Sequence, residues 1–184
     1  MIFEQFNPLN KENIIQITIN AFLSQPLFEM PPEKFEGAGV YGIWTDQPDL
    51  DYFHDRTKPI YIGKAENGSR KGQFGSGKNK LSKRLGEHSF SINKASNLDI
   101  RNFKCRFLVL DDFWIPATET RLIEYFQPVW NVSLDGFGTR YTGIHRNAKG
   151  KWDVIHPGRD WDESCREPQK TKEQIIKDIN YGTE

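Results

Sequence analysis

The 184-residue chain is poor in cysteine: Cys105 and Cys165 stand far apart and outside the His/Cys spacing of a zinc site. That excludes a disulfide framework or a structural zinc centre and leaves two reduced thiols as the expectation. Long apolar runs are also missing. Stretches such as 107–110 or 14–19 fall far short of the roughly 20 residues that cross a bilayer, so no membrane partner is expected. Glu4 stands early, with no basic start and no apolar run behind it, so a secretory signal is not expected and the cytoplasm is the expected address. There is no internal repeat, no low-complexity tract, no phosphate-binding GxxxxGK[ST] loop and no Ser/His/Asp arrangement. Net charge is absent too, with 25 basic against 25 acidic residues.

What is present is core material, with 36% hydrophobic and 13% aromatic residues against 27% charged. This suits one folded domain rather than a disordered chain. The zero net charge conceals a strong asymmetry. Residues 56–106 hold thirteen Lys and Arg against three acids (Glu66, Glu87, Asp99), a local +10 balanced by −10 elsewhere. Such a block can draw in a polyanion while acidic flanks keep the chain soluble.

Asn10 is placed to cap a helix over 11–24, with Ile14, Ile15, Thr18 and Phe22 on its apolar side, and Pro26, Pro31 and Pro32 end it. The β-branched and aromatic segments 37–44 and 58–63 predict two strands, pairing as an antiparallel hairpin with a long polar loop. Leu81, Leu85 and His88 recur at helical spacing over 79–92, with Lys80, Lys83 and Arg84 beside them. A strand follows over 103–110. Then comes a helix over 117–126, opened by Pro116 and stopped before Pro128. The tail carries a possible strand at 151–156 and a helix at 171–180. The expected class is α+β, a small antiparallel sheet flanked by helices. Residues 37–132 form its core, with a helical extension over 1–36 and a C-terminal extension over 133–184, all in a single domain.

Within the helix at 117, Ile115, Glu119, Leu122, Ile123 and Phe126 form one stripe, which sets Glu119 on the apolar side. An unpaired buried carboxylate is costly. A divalent cation with oxygen ligands would compensate it; alternatively the carboxylate stands at the stripe edge and reaches water. Arg84 and His88, four apart, project from one face and could meet the same phosphate.

Gly39-Val40-Tyr41, Tyr61-Ile62-Gly63-Lys64, Arg84 and His88, and then Glu119 with Asn131 twelve residues later in ETRLIEYFQPVWN, resemble the GIY-YIG nuclease superfamily in order and spacing. The resemblance covers 37–131, about half the chain. The run Asp135-Gly136-Phe137-Gly138, the stretch Arg84-Leu85-Gly86-Glu87-His88 and the tail Trp152-Asp153-Val154-Ile155-His156-Pro157-Gly158-Arg159 are similar to the superfamily's type II restriction endonucleases that target CCGCGG.

The resemblance implies hydrolysis of double-stranded DNA at a palindromic, G·C-rich site by a homodimer. Glu119 would hold one Mg²⁺ (or Mn²⁺) and Arg84 would bind the scissile phosphate. Tyr41 would act as base and Tyr61 would orient water or phosphate, roles the two could exchange. A tyrosine near pKa 10 needs nearby cations such as Arg84 or Lys64 to favour phenolate or share its proton. His88 would bond a phosphate or the tyrosine network, and Asn131 would fix the site from behind. Lys64, Arg70, Lys71, Lys78, Lys80 and Lys83 would follow the DNA backbone. Arg140, Arg146 or Arg159 would read bases. Two other readings are a structure-specific repair nuclease of the same superfamily, and an inactive nuclease fold that only binds DNA.

Overall fold

The computed structural model describes residues 11–67, 78–138, 149–160, 166 and 168–182. A helix α1 (Lys11–Leu23) leads into a two-residue strand β1 (Phe28–Glu29), then β2 (Gly39–Thr45) and β3 (Tyr61–Ala65). Helix α2 (Lys80–Lys94) and a single 3₁₀ turn (Ile100–Asn102) precede β4 (Phe103–Val109). Helices α3 (Ile115–Phe126), α4 (Val129–Val132), α5 (Lys151–Ile155) and α6 (Lys172–Tyr181) complete the order. The strands form one antiparallel sheet in the order β1-β4-β2-β3. This is the α+β architecture expected, and β2 and β3 pair as anticipated. No helix among the described residues is long and apolar enough to cross a membrane.

Strand β2 is buried along its whole length, because both faces of the sheet are covered. On one face Val40, Trp44 and Ile62 meet Ile19 and Phe22 of α1 and Ile115, Leu122 and Phe126 of α3. On the other, Tyr41, Ile43, Tyr61, Phe103 and Cys105 meet Leu81, Leu85 and Ile92 of α2, joined by Trp130, Phe137 and Trp152. Each helix presents a stripe of period 3.6 to a strand pattern of period 2, which suits a three-layer core.

Pro116 occupies the first turn of α3, where no backbone N–H is needed, and Gln127 in the left-handed region followed by Pro128 ends that helix. The short α4 then lies against β3: the Trp130 N–H donates to the Ile60 carbonyl at 3.0 Å. One expectation is corrected. Residues 151–156 do not form a strand; Lys151–Ile155 is the helix α5. Asp153 accepts a bond from the Gly150 N–H at 3.2 Å, and burial falls on Trp152, Asp153, Ile155 and His156, a helical rather than alternating spacing. Asn10 lies outside the described residues, as do the side chains of Ile14 and Ile15; Ile19 and Phe22 supply the buried side of α1.

Candidate active site

The register of β2 with β3 sets Tyr41 opposite Gly63 and Ile43 opposite Tyr61, which places both tyrosines diagonally on one face, their rings 6.2 Å apart. Gly63 makes this possible. A Cβ at that position would collide with the Tyr41 hydroxyl. Helix α2 crosses the same face, and one turn of it presents Arg84 and His88 together.

His88 is buried, with Nε2 2.6 Å from the Tyr41 hydroxyl, and Phe137 stacks on its ring at 4.7 Å. Burial holds the imidazole well below its ordinary pKa, and the charges of Arg84 and Arg159 act in the same direction. His88 is therefore neutral. Burial also lifts the Tyr41 phenol well above its ordinary value; Tyr61 adds to this and Arg84 opposes it. The Tyr61 phenol is raised by the same desolvation, again against the pull of Arg84. The cation expected to favour phenolate is present, but desolvation outweighs it. Neither tyrosine rests as phenolate, and the hydrogen-bond partner of the Tyr41 hydroxyl is a neutral imidazole.

Arg84 is oriented on two sides. It donates to the Glu87 carboxylate at 2.7 Å and to the Gly138 carbonyl. Gly138 also lies directly against the Tyr61 hydroxyl, where a Cβ would clash. Phe137, Gly138 and Glu87 thus build the site, though none was singled out as a site residue. The spacing of Glu87 three residues after Arg84 was the one signal for it.

Glu119 projects from α3, on the layer opposite α2, and its side chain is 21% exposed. Lys64 Nζ stands 3.3 Å from its carboxylate and 3.1 Å from that of Glu66. Burial raises the Glu119 pKa while Lys64 opposes the rise, and its charge is felt by both phenols and by Arg84. The stripe-edge carboxylate therefore has its counter-charge in Lys64. No group of three or more potential metal ligands occurs among the described residues.

Asn131 does not face the phenols. Its side chain accepts from the Ile62 N–H at 2.8 Å and donates to the Ile62 carbonyl at 2.7 Å, clamping β3 between Tyr61 and Gly63.

The basic block is not a uniformly basic face. Acids from elsewhere in the chain lie against it, Lys78 with Glu36 at 3.8 Å, Lys94 with Asp160 and Lys104 with Glu29, and Lys58 pairs locally with Asp55. Arg56 and Arg106 lie over the rings of Phe53 and Trp44. Lys80 and Lys83, at the start of α2 beside Arg84, have no acidic partner among the described residues. Arg159, one of the residues expected to read bases, is held inside the fold. It is buried, donating from Nε to Asp153 at 2.7 Å and from Nη2 to the Gly136 carbonyl at 3.1 Å, with its guanidinium 4.5 Å from the Trp152 ring. Arg70, Lys71, Arg140 and Arg146 lie outside the described residues, as does Cys165.

Motifs scattered over ninety-odd residues of sequence thus converge on one sheet face and its edge, with a tyrosine on the central strand, a second on its neighbour and an arginine–histidine turn above them. That convergence is the hallmark of the GIY-YIG nuclease class. The chain belongs to the Eco29kI GIY-YIG domain family, whose model matches residues 33–182. This is a family of restriction endonucleases, site-specific deoxyribonucleases, and the match extends beyond the core through α5 and α6. No curated protein matches the chain.

Proposed function

We propose that the protein is a type II restriction endonuclease that hydrolyses double-stranded DNA at a palindromic, G·C-rich site as a homodimer, with the Tyr41–His88 couple as its proton acceptor. The 2.6 Å contact between a buried phenol and a neutral imidazole carries this reading. With its own proton on Nδ1, His88 takes the phenolic proton on Nε2 as the Tyr41 oxygen receives one from the attacking water. The water O–H bond breaks, the hydroxide oxygen bonds to phosphorus, and the bond to the 3′ oxygen breaks, that oxygen leaving with the bonding pair and taking a proton from solvent. No standing phenolate is required. Arg84, pre-oriented by Glu87 and Gly138, binds the phosphate that carries the developing charge. Tyr61 orients the water or the phosphate. Asn131 acts as a positioning residue through β3, and Lys78, Lys80 and Lys83 guide the DNA backbone.

Mg²⁺, or Mn²⁺ in its place, fits the donor set. Mg²⁺ commonly takes one or two protein carboxylates and completes its shell with water and substrate phosphate oxygens. Glu119, a carboxylate 21% exposed and paired with Lys64 in the structure, would supply that one protein ligand. When bound there, the ion would neutralise phosphate charge and stabilise the leaving oxygen.

The test is incubation of the protein with long unmethylated DNA of known sequence, with Mg²⁺ or EDTA, beside Glu119→Ala. Discrete Mg²⁺-dependent bands that vanish in the variant, which still binds DNA, are the expected result, and end-mapping gives the site. Salt-sensitive binding without cleavage would establish an inactive binding module. Cleavage confined to branched DNA would establish a repair nuclease.

A further inference from the structure

The interior holds a second tyrosine–histidine contact that the cleavage chemistry does not use. His156, just past α5, is fully buried; its Nε2 lies 2.5 Å from the Tyr52 hydroxyl and its Nδ1 3.0 Å from Asn97 Oδ1. Asn97 donates Nδ2–H to the Ile155 carbonyl at 3.0 Å, which turns Oδ1 toward the histidine. Nδ1 of His156 must then carry the proton, and Nε2 accepts the Tyr52 O–H. The Tyr52 oxygen in turn accepts the Trp130 Nε1–H at 3.1 Å. Donation runs one way, from Trp130 through Tyr52 and His156 to Asn97 and the Ile155 carbonyl. A buried polar chain of this kind permits one arrangement of its rings, where an apolar cluster of equal volume would tolerate several.

The far end of this chain is the catalytic cluster. The Trp130 ring lies 4.4 Å from Phe137, and Phe137 stacks on His88 and meets Tyr61 edge-on at 4.9 Å. Trp130 also precedes Asn131, which holds β3 beside Tyr61. The rings that back the Tyr41–His88 bond are therefore anchored by a histidine from the C-terminal segment.

We propose that His156 is a positioning residue for DNA cleavage: through Tyr52 and Trp130 it fixes Phe137 against His88 and Tyr61 and so holds the Tyr41–His88 hydrogen bond in line. The role rests on the assignment of that couple as the proton acceptor. It predicts that the C-terminal segment affects the chemical step without touching DNA.

The test compares wild-type protein with His156→Phe, which keeps the ring volume and deletes the bonds, and with His156→Gln, whose amide can donate to Asn97 and accept from Tyr52. Single-turnover cleavage at saturating protein is expected to fall about tenfold in His156→Phe, the scale of a small misalignment of reacting groups. DNA affinity should stay within about twofold of wild type. In NMR spectra the His88 ring signals are expected to move as the Phe137 ring current changes, and His156→Gln should restore most of the rate. A folded His156→Phe that cleaves at the wild-type rate, or one that slows while the His88 signals stay in place, would overturn the proposal. Should His156→Phe not fold, Tyr52→Phe removes a single oxygen from the same chain and is read by the same criteria. The His88 signals report positioning independently of cleavage. Failure of the proton-acceptor assignment would show separately, as wild-type cleavage by Tyr41→Phe.

Discussion

Asn131→Ala tests how the second tyrosine is held. The wild-type side chain makes two hydrogen bonds to one residue of β3, accepting from the Ile62 N–H at 2.8 Å and donating to its carbonyl at 2.7 Å. Alanine removes both and leaves two backbone groups in a half-buried place where water reaches only in part. A hydrogen bond contributes about 1 kcal/mol net, and a stranded buried partner costs about 1–3 kcal/mol, so the pair is worth about 2–4 kcal/mol. For a chain of this length each kcal/mol shifts the midpoint by about 2–4 °C, which gives an expected fall of roughly 4–16 °C in a calorimetric scan. Cleavage measured well below that midpoint should also slow, because Ile62 lies between Tyr61 and Gly63. DNA affinity should not change. Asn131→Asp provides the control: a carboxylate accepts the N–H but repels the carbonyl, so it should do no better than alanine. A midpoint for Asn131→Ala within about 2 °C of wild type would refute the clamp, since it would mean that water replaces both bonds at no net loss.

Three further outcomes follow from the geometry. In Gly63→Ala the new Cβ collides with the Tyr41 hydroxyl, and the displaced phenol should lower single-turnover cleavage about 100-fold; an unaltered rate in a folded variant would show that Tyr41 need not occupy its observed position. Arg159→Met breaks a buried ion pair with Asp153 and should cost about 3–5 kcal/mol in urea titrations, with unchanged DNA affinity per folded molecule; normal stability with weakened, less salt-sensitive binding would return Arg159 to the DNA surface. Both His88 and His156 have folded pKa values below the ordinary value, the latter at about 3, through burial first. The unfolded chain then binds more protons than the folded one as pH falls below about 6.5, so stability is full above that pH and is lost at about 1.4 kcal/mol per pH unit for each histidine as pH drops toward the folded values. Urea midpoints that stay flat between pH 7 and 5 would contradict neutral, buried imidazoles.

Much of the site could be read from the residues in order, because strand and helix periods alone assign faces. Tyr41 and Tyr61 on paired strands, and Arg84 and His88 four apart on a helix, needed only an antiparallel hairpin and one helical turn. What escaped the sequence was every relation set by register or by distant segments. Lys64 shares with Ile62 the sheet face that α3 covers, and no local pattern says which helix covers that face or that Glu119 stands there. The charge of residues 56–106 is legible along the chain, but its distribution in space is not, since Glu29, Glu36 and Asp160 return from other segments to lie against it. The burial of Arg159 depends on Asp153, six residues earlier, and on Trp152 beneath it. The misassigned strand at 151–156 had the same origin, because Trp152, Val154 and His156 alternate as a strand would, while the buried set follows a helix.

The placement of α4 has a consequence for how copies of this chain can meet. A β-sheet edge offers unpaired N–H and C=O groups on which another strand can add, the usual start of domain swapping or aggregation. On β3, the outward Ile62 groups are taken by the Asn131 amide and the Ile60 carbonyl by the Trp130 N–H. A four-residue helical turn thus stands in for the missing neighbour strand. The opposite edge, β1, is only two residues long and runs into Pro31 and Pro32, which cannot donate to a ladder. Strand addition at either end of the sheet is thus hindered, at β3 by α4 and at β1 by its length and the prolines that follow, so the sheet that carries the tyrosines is guarded against edge-to-edge pairing.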